Sequence, residues 1–146
     1  MNGYLREVTI EDMDLLFEWA NEESVRRNSF STKKITYEEH VAWFKRILSE
    51  ENTVQYIYMV NDVPIGQVRI NIFDDKAEIG YSVCNIERGK GHGRKILKLL
   101  HAKVKEEYPF IKKLIGKVKP ENIASQKAFL AVGYGEAYKA FEINMD

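Results

Sequence analysis

Three glycines alternate with charged and polar residues in Arg88-Gly89-Lys90-Gly91-His92-Gly93-Arg94, and this stretch restricts the fold more than any other. An apolar, strand-like run over residues 77–83 leads into it, and an amphipathic, helix-like run over residues 95–108 leaves it. Glycine reaches positive φ without a steric penalty and lets a ligand approach the backbone closely. At a helix start, unpaired N–H groups and the positive end of the dipole favour an anion, above all a phosphate. Arg88, Lys90 and Arg94 add positive charge beside those amides. The stretch therefore predicts a strand–turn–helix unit that cradles a pyrophosphate. It lacks the Gly-Lys-Ser/Thr ending of a nucleotide-triphosphate loop, and Arg94 stands where the dinucleotide fingerprint needs its third glycine. A glycine-rich turn with a solvated basic rim is the alternative.

Hydrophobic periodicity sets out the rest. After a strand-like entry at residues 4–8, Thr9 to Asp12 reads as a capping box, followed by a stripe of Met13, Leu16, Phe17 and Ala20. Residues 21–34 are polar and predict a loop with a short helical piece. Thr36 to Glu39 is a second capping box, opening a helix with Tyr37, Val41, Phe44 and Leu48 on its apolar face. His40, Trp43 and Ile47 fall beside that stripe, with His40 expected to face solvent.

From Val54 the period changes to two. Residues 56–60, 65–72 and 77–83 read as strands, joined through the turn pairs Asn61-Asp62 and Asp74-Asp75 into an antiparallel meander. Beyond the glycines, Ile96, Leu97, Leu100 and Val104 form a helical stripe that Pro109 ends. A strand over residues 114–119 follows. With a helix in between, it should lie parallel to the strand at 77–83, through a right-handed crossover. Asn122 suits an N-cap and Gly133 the C′ position of the next helix. Phe141, Ile143 and Met145 alternate as a last strand. The expected fold is α/β, or α+β: a mixed central sheet with helices on both faces, in a single domain over residues 1–146.

The 22 basic and 22 acidic residues cancel, so the overall field does not point to nucleic acid or an anionic membrane. Any anion binding must come from local clusters. With one cysteine, Cys84, no intrachain disulfide forms, which suits a reducing compartment. No run approaches the roughly 18 apolar residues of a membrane span, and no signal-like segment opens the chain. A soluble, cytoplasmic protein is expected, with no nucleic-acid or membrane partner.

Arg88-x-x-Gly91-x-Gly93, after a strand and before a helix, resembles the acyl-CoA signature of the GNAT superfamily of N-acyltransferases. Asn122-Ile-Ala-Ser125-Gln-Lys-Ala-Phe129-Leu-Ala-Val-Gly133-Tyr134 is similar to that superfamily's second motif. The resemblance is close in the C-terminal half and looser before it. It implies acetyl transfer from acetyl-CoA, a cosubstrate, to an amine, with no metal. It further implies cofactor contacts from Tyr81, Ser82 and Val83, from every residue between Arg88 and Arg94 (Gly89, Lys90, Gly91, His92 and Gly93 included), and from Asn122, Ser125 and Phe129.

An ammonium has no lone pair, so attack on the thioester needs a base. The resemblance puts that base at Glu78, whose alternative is a solvent-facing or Arg69-paired strand glutamate. Many relatives carry a tyrosine at Phe129 to protonate the leaving thiolate. Here Tyr134 or Tyr138 would have to do so, with Tyr134 the candidate, or the thiolate leaves unaided. Cys84 could carry an acyl group, but a small structural cysteine is the simpler reading. Trp19 and residues 25–29 and 39–44 look like a subset acting on amino-sugar nucleotides of bacterial surface glycans. On that reading Arg26 and Arg27 hold a phosphate, Trp19 or Trp43 stacks on a base or sugar, and His40 is an alternative base. A basic loop with packed tryptophans is the plainer alternative. Acetylation of a protein N-terminus or an amino acid, a CoA-binding regulatory domain, and a homodimer all stay open.

Overall fold

The computed structural model describes residues 3–145. Five strands form one sheet in the order β1-β2-β3-β4-β5: β1 Gly3–Glu7, β2 Thr53–Val60, β3 Val63–Phe73, β4 Lys76–Val83 and β5 Lys113–Gly116. The first four are antiparallel neighbours, and β5 lies parallel to β4. Both hairpins form at the turn pairs read from the sequence. Asn61, Asp62 and Asp74 take positive φ there, a conformation that Asn and Asp tolerate better than most residues.

Alternation along the strands divides the core between the two faces. Tyr56, Tyr58, Val68, Ile70, Ala77 and Ile79 face one side, against Ile96, Leu97, Leu100 and Val104 of α4 (His92–Glu107) and Ala128 and Phe129 of α5 (Ile123–Ala131). Ile57 and Met59 face the other, against Leu16 of α1 (Met13–Ala20) and Phe44 and Ile47 of α3 (Tyr37–Ser49). Helices thus cover both faces, as expected. Between α1 and α3, the short α2 (Glu23–Asn28) contributes no buried residue.

The caps form largely as the sequence indicates. Thr9 and Asp12 make a reciprocal box ahead of α1, and Arg6 grips the Asp12 carboxylate with two 2.9 Å bonds. At α3 the Thr36 hydroxyl accepts from the Glu39 N–H and donates to the Glu39 carboxylate, which does not reach back to the backbone. Asn122 caps α5, and Gly133 sits just beyond its end at φ 102°.

Three expectations need correction. On α3 the buried face is His40, Phe44 and Ile47, whereas Tyr37 and Leu48 are exposed. His40 can be buried because a ring nitrogen bonds the Met13 carbonyl at 2.9 Å. Tyr37 instead sets its ring edge-on to Phe17 and donates its hydroxyl to Asp14 at 2.7 Å. The strand expected over 114–119 ends at Gly116. The last strand does not form: residues 134–145 carry no regular structure, and Phe141, Ile143 and Met145 are 93%, 83% and 89% exposed. Alternation alone does not make a strand when no edge pairs with it.

Candidate active site

The site is laid out by where β4 and β5 part. Pairing between them stops at Ile79 and Gly116, so residues 80–83 run on with no strand among the described residues beside that edge. Phe129 closes over the end of β5, where a Cβ on Gly116 would stand 2.3 Å from its ring. Tyr81 meets Phe129 edge-on, and its hydroxyl shares a 3.0 Å hydrogen bond with Ser125. Asn122 holds the same turn by accepting from the Ser125 N–H at 3.2 Å.

Beyond Val83 the chain enters the glycine loop. Gly89 and Gly91 take φ of 78° and 83°, and a Cβ at either would meet nothing within 4 Å. The space above both is open, as an anion held against backbone amides requires. Gly91 is the N-cap of α4, which therefore begins at His92, three residues before the helix-like run read from the sequence. At Gly93 the demand is close packing, because a Cβ would lie 3.2 Å from the Tyr81 ring.

The charged rim is more committed than its sequence indicates. Arg88 donates through Nε to the Val83 carbonyl at 3.0 Å and pairs with Glu22 at 2.8 Å. Its remaining nitrogen bonds Ser24. Lys90 pairs with Glu87 at 3.3 Å. His92 is turned into the core, between the Tyr58 hydroxyl at 3.2 Å and Glu87 at 3.4 Å. It can serve an anion through its backbone N–H only. Arg94 is exposed and makes no ion pair among the described residues.

Glu78 lies on the α1/α3 side of the sheet, its neighbours Ala77 and Ile79 pointing into the opposite core. Its partner is Lys117, at 3.3 Å, and not Arg69 across the hairpin. Arg69 instead stands 5.1 Å over the Trp43 ring, and burial pulls its pKa down. Trp43 thus already has a cation on its face. Trp19 lines a small cavity with Glu22, Val25, Ser82, Val83, Cys84 and Arg88.

Arg26 is not placed to hold a phosphate. Its Nε bonds the Ala20 carbonyl at 2.7 Å, and its other nitrogens bond Ser31, Lys33 and Ser29 at 3.3 Å. These contacts tie down the end of α1 and the following loop. Arg27 is exposed, and its carbonyl accepts from Lys119 at 3.0 Å. His40, on the buried face of α3, does not face solvent. Tyr134 packs edge-on to Phe129 at 4.9 Å, its hydroxyl buried without a hydrogen-bond partner among the described residues. Burial pushes its pKa up to about 12.

Sequence reasoning missed several participants. Glu22 caps α2 and holds Arg88, and a Glu two residues before a serine gives only a weak cap signal. Lys117 and Lys119 lie past the last strand residue, where nothing local indicates their partners. A side-chain ladder crosses the sheet from Gln55 to Gln67 at 2.9 Å and on to Ser82 at 3.0 Å.

Comparison with known proteins supplies the identity. The family model of the acetyltransferase (GNAT) domain matches residues 4–135. The chain belongs to the GNAT acetyltransferase family. Membership gives the enzyme class expected from the sequence, an acetyl-CoA-dependent acetyltransferase. Among solved structures, a domain from Methanocaldococcus jannaschii DSM 2661 is 26% identical at a TM-score of 0.83, covering 97% of this chain and 93% of that one. AAC(6')-Ib in complex with paromomycin and acetyl-CoA is 21% identical at a TM-score of 0.83, over 94% and 85% of the two chains. AAC(6')-Iy in complex with a bisubstrate analogue is 16% identical at a TM-score of 0.76, over 100% and 99%. The last two likenesses speak for the GNAT fold. A search of curated proteins returned no match.

Proposed function

We propose that this GNAT enzyme acetylates the primary amine of a small acceptor that carries negative charge, an amino sugar linked to a nucleotide. Acetyl-CoA would lie with its pyrophosphate on the amides of residues 89–94, near Arg94, and its arm along the unpaired edge of β4. Glu78 takes a proton from the acceptor ammonium. The freed lone pair attacks the thioester carbonyl, the C–S bond breaks, the thiolate leaves, and the nitrogen gives its second proton to solvent as the neutral amide forms. Tyr134 keeps its proton at neutral pH and is our candidate to pass it on.

The observation that carries the acceptor reading is the set of cations about Glu78 and α2. Lys117 touches Glu78, Arg69 lies within its field, and Lys119 donates to the Arg27 carbonyl on α2. A phosphate-bearing acceptor is attracted to such a surface, and a polycation is repelled. AAC(6')-Ib, whose structures hold paromomycin or kanamycin, gives the competing reading of an aminoglycoside acceptor.

A free-thiol assay over an amine panel tests this. The nucleotide-linked amino sugar should exceed the same free sugar in kcat/KM by at least about tenfold, since a charge-assisted contact to phosphate is worth roughly 1.5–3 kcal/mol. Arg27→Ala should raise the acceptor KM and leave acetyl-CoA binding intact. If the free sugar, an aminoglycoside or a short peptide is acetylated equally well, the nucleotide-sugar assignment fails and the acetyltransferase assignment stands.

A further inference from the structure

We infer that Glu22 is a positioning residue that couples coenzyme occupancy to the acceptor helix α2, by clamping it to Arg88 at the edge of the glycine loop. The inference rests on the coenzyme reading above and extends it. Arg88 is the first residue of the loop signature, yet its guanidinium is turned away from the open space above Gly89 and Gly91. Nε holds the Val83 carbonyl at 3.0 Å, one Nη holds Glu22 at 2.8 Å, and the other holds Ser24. The Glu22 carboxylate also accepts the Ser24 hydroxyl at 2.7 Å and the Ser24 and Val25 N–H groups at 3.3 Å. One carboxylate therefore caps α2 and joins it to a residue 66 positions away.

The consequence follows from how weakly α2 is otherwise held. It has six residues, none of them buried, and Val25, half-buried in the small cavity beside Trp19 and Val83, gives it little apolar anchorage, so polar contacts at its two ends carry much of its docking. Such segments open locally at little cost. At its far end the contacts are the internal bonds of Arg26 and the Lys119 bond to the Arg27 carbonyl. At the near end the contact is Arg88, whose backbone lies next to Gly89 and whose side chain rests on Val83. A coenzyme that orders residues 89–94 and lies along Val83 fixes Arg88 from both sides. Less freedom for Arg88 means less for Glu22, and α2 tightens without touching the coenzyme. By linkage, an acceptor that needs α2 docked binds more tightly to the coenzyme-loaded enzyme, and the converse holds by the same factor.

Hydrogen exchange of the α2 amides, with and without saturating CoA, reads this directly. In the wild-type protein CoA should slow exchange over residues 24–28 at least about fivefold, the low end of ordinary coupling. In Glu22→Gln, which keeps the shape and loses the charge, that ratio should fall towards one while the Kd for CoA rises by no more than the coupling factor lost; Glu22→Asp should restore part of it. A purely structural Glu22 would raise exchange equally with and without CoA and leave the ratio unchanged. No slowing in CoA-bound wild type, or equal slowing in Glu22→Gln, would overturn the coupling and leave the coenzyme reading intact. If CoA does not bind the wild-type protein, the coenzyme reading falls and the coupling with it.

Discussion

At the level of single residues, Glu78 and Arg26 take opposite kinds of role. Glu78 is partly open to solvent and has one flexible partner, Lys117, so it can exchange that contact for an acceptor amine. Glu78→Gln keeps the shape and removes the base. The acetylation rate should fall by roughly 10² to 10⁴ while affinity for acetyl-CoA hardly changes. Steady-state kinetics across pH 6 to 9 checks this, and a near wild-type rate would assign Glu78 to structure alone. Arg26, by contrast, satisfies carbonyls. Arg26→Ala should cost stability, roughly 1–3 kcal/mol by urea unfolding, because it orphans the Ala20 carbonyl.

Glu22 adds a pH dependence of definite sign. Its carboxyl, near 4.5 when unpaired, is held at about 2 chiefly by the Arg88 hydrogen bond. A carboxyl with a lowered folded pKa stabilises the fold above about pH 4.5, and that contribution drains away as pH falls towards 2. Acid unfolding of Glu22→Gln should therefore be less steep than that of wild type across this window. Parallel curves would remove the pair from the stability of the protein.

Among the elements, what could be read from sequence is what neighbours along the chain decide. Caps at Thr9 and Asn122, the positive φ of Asn61 and Asp74, and the glycine turn all depend on contacts within a few residues. The face of α3 does not. Two adjacent stripes on that helix are apolar enough to be buried, and the choice falls to the sheet beneath it and to the Met13 carbonyl that satisfies His40. The last strand fails for a similar reason, since its alternation says nothing about a partner edge. Within the loop, the geometry separates two effects of substitution. Gly91→Ala meets open space, so it costs only about 1–2 kcal/mol for its left-handed backbone. Gly91→Asp adds a negative charge where the pyrophosphate would sit. Calorimetry should find CoA binding weakened modestly by the first and abolished by the second.

Across the whole molecule, the strand, turn and helix proposed to hold the coenzyme were legible in the sequence, whereas the contacts at the proposed acceptor end were not. The proposed coenzyme cradle is one strand, one turn and one helix in succession, so its motif is contiguous. The proposed acceptor end is assembled from contacts such as Arg88 to Glu22 and Lys119 to Arg27, 66 and 92 residues apart, and no local pattern encodes them. The central claim is that acetyl-CoA occupies this cradle in the folded protein, and thermal unfolding with and without it is the most direct test. At one hundred times its Kd, acetyl-CoA should add roughly 2.7 kcal/mol, raising the Tm of a domain this size by roughly 5–10 °C. Gly91→Asp should melt at one temperature with or without it. A wild-type Tm that does not move with acetyl-CoA or CoA, in protein shown to be folded, would contradict the claim.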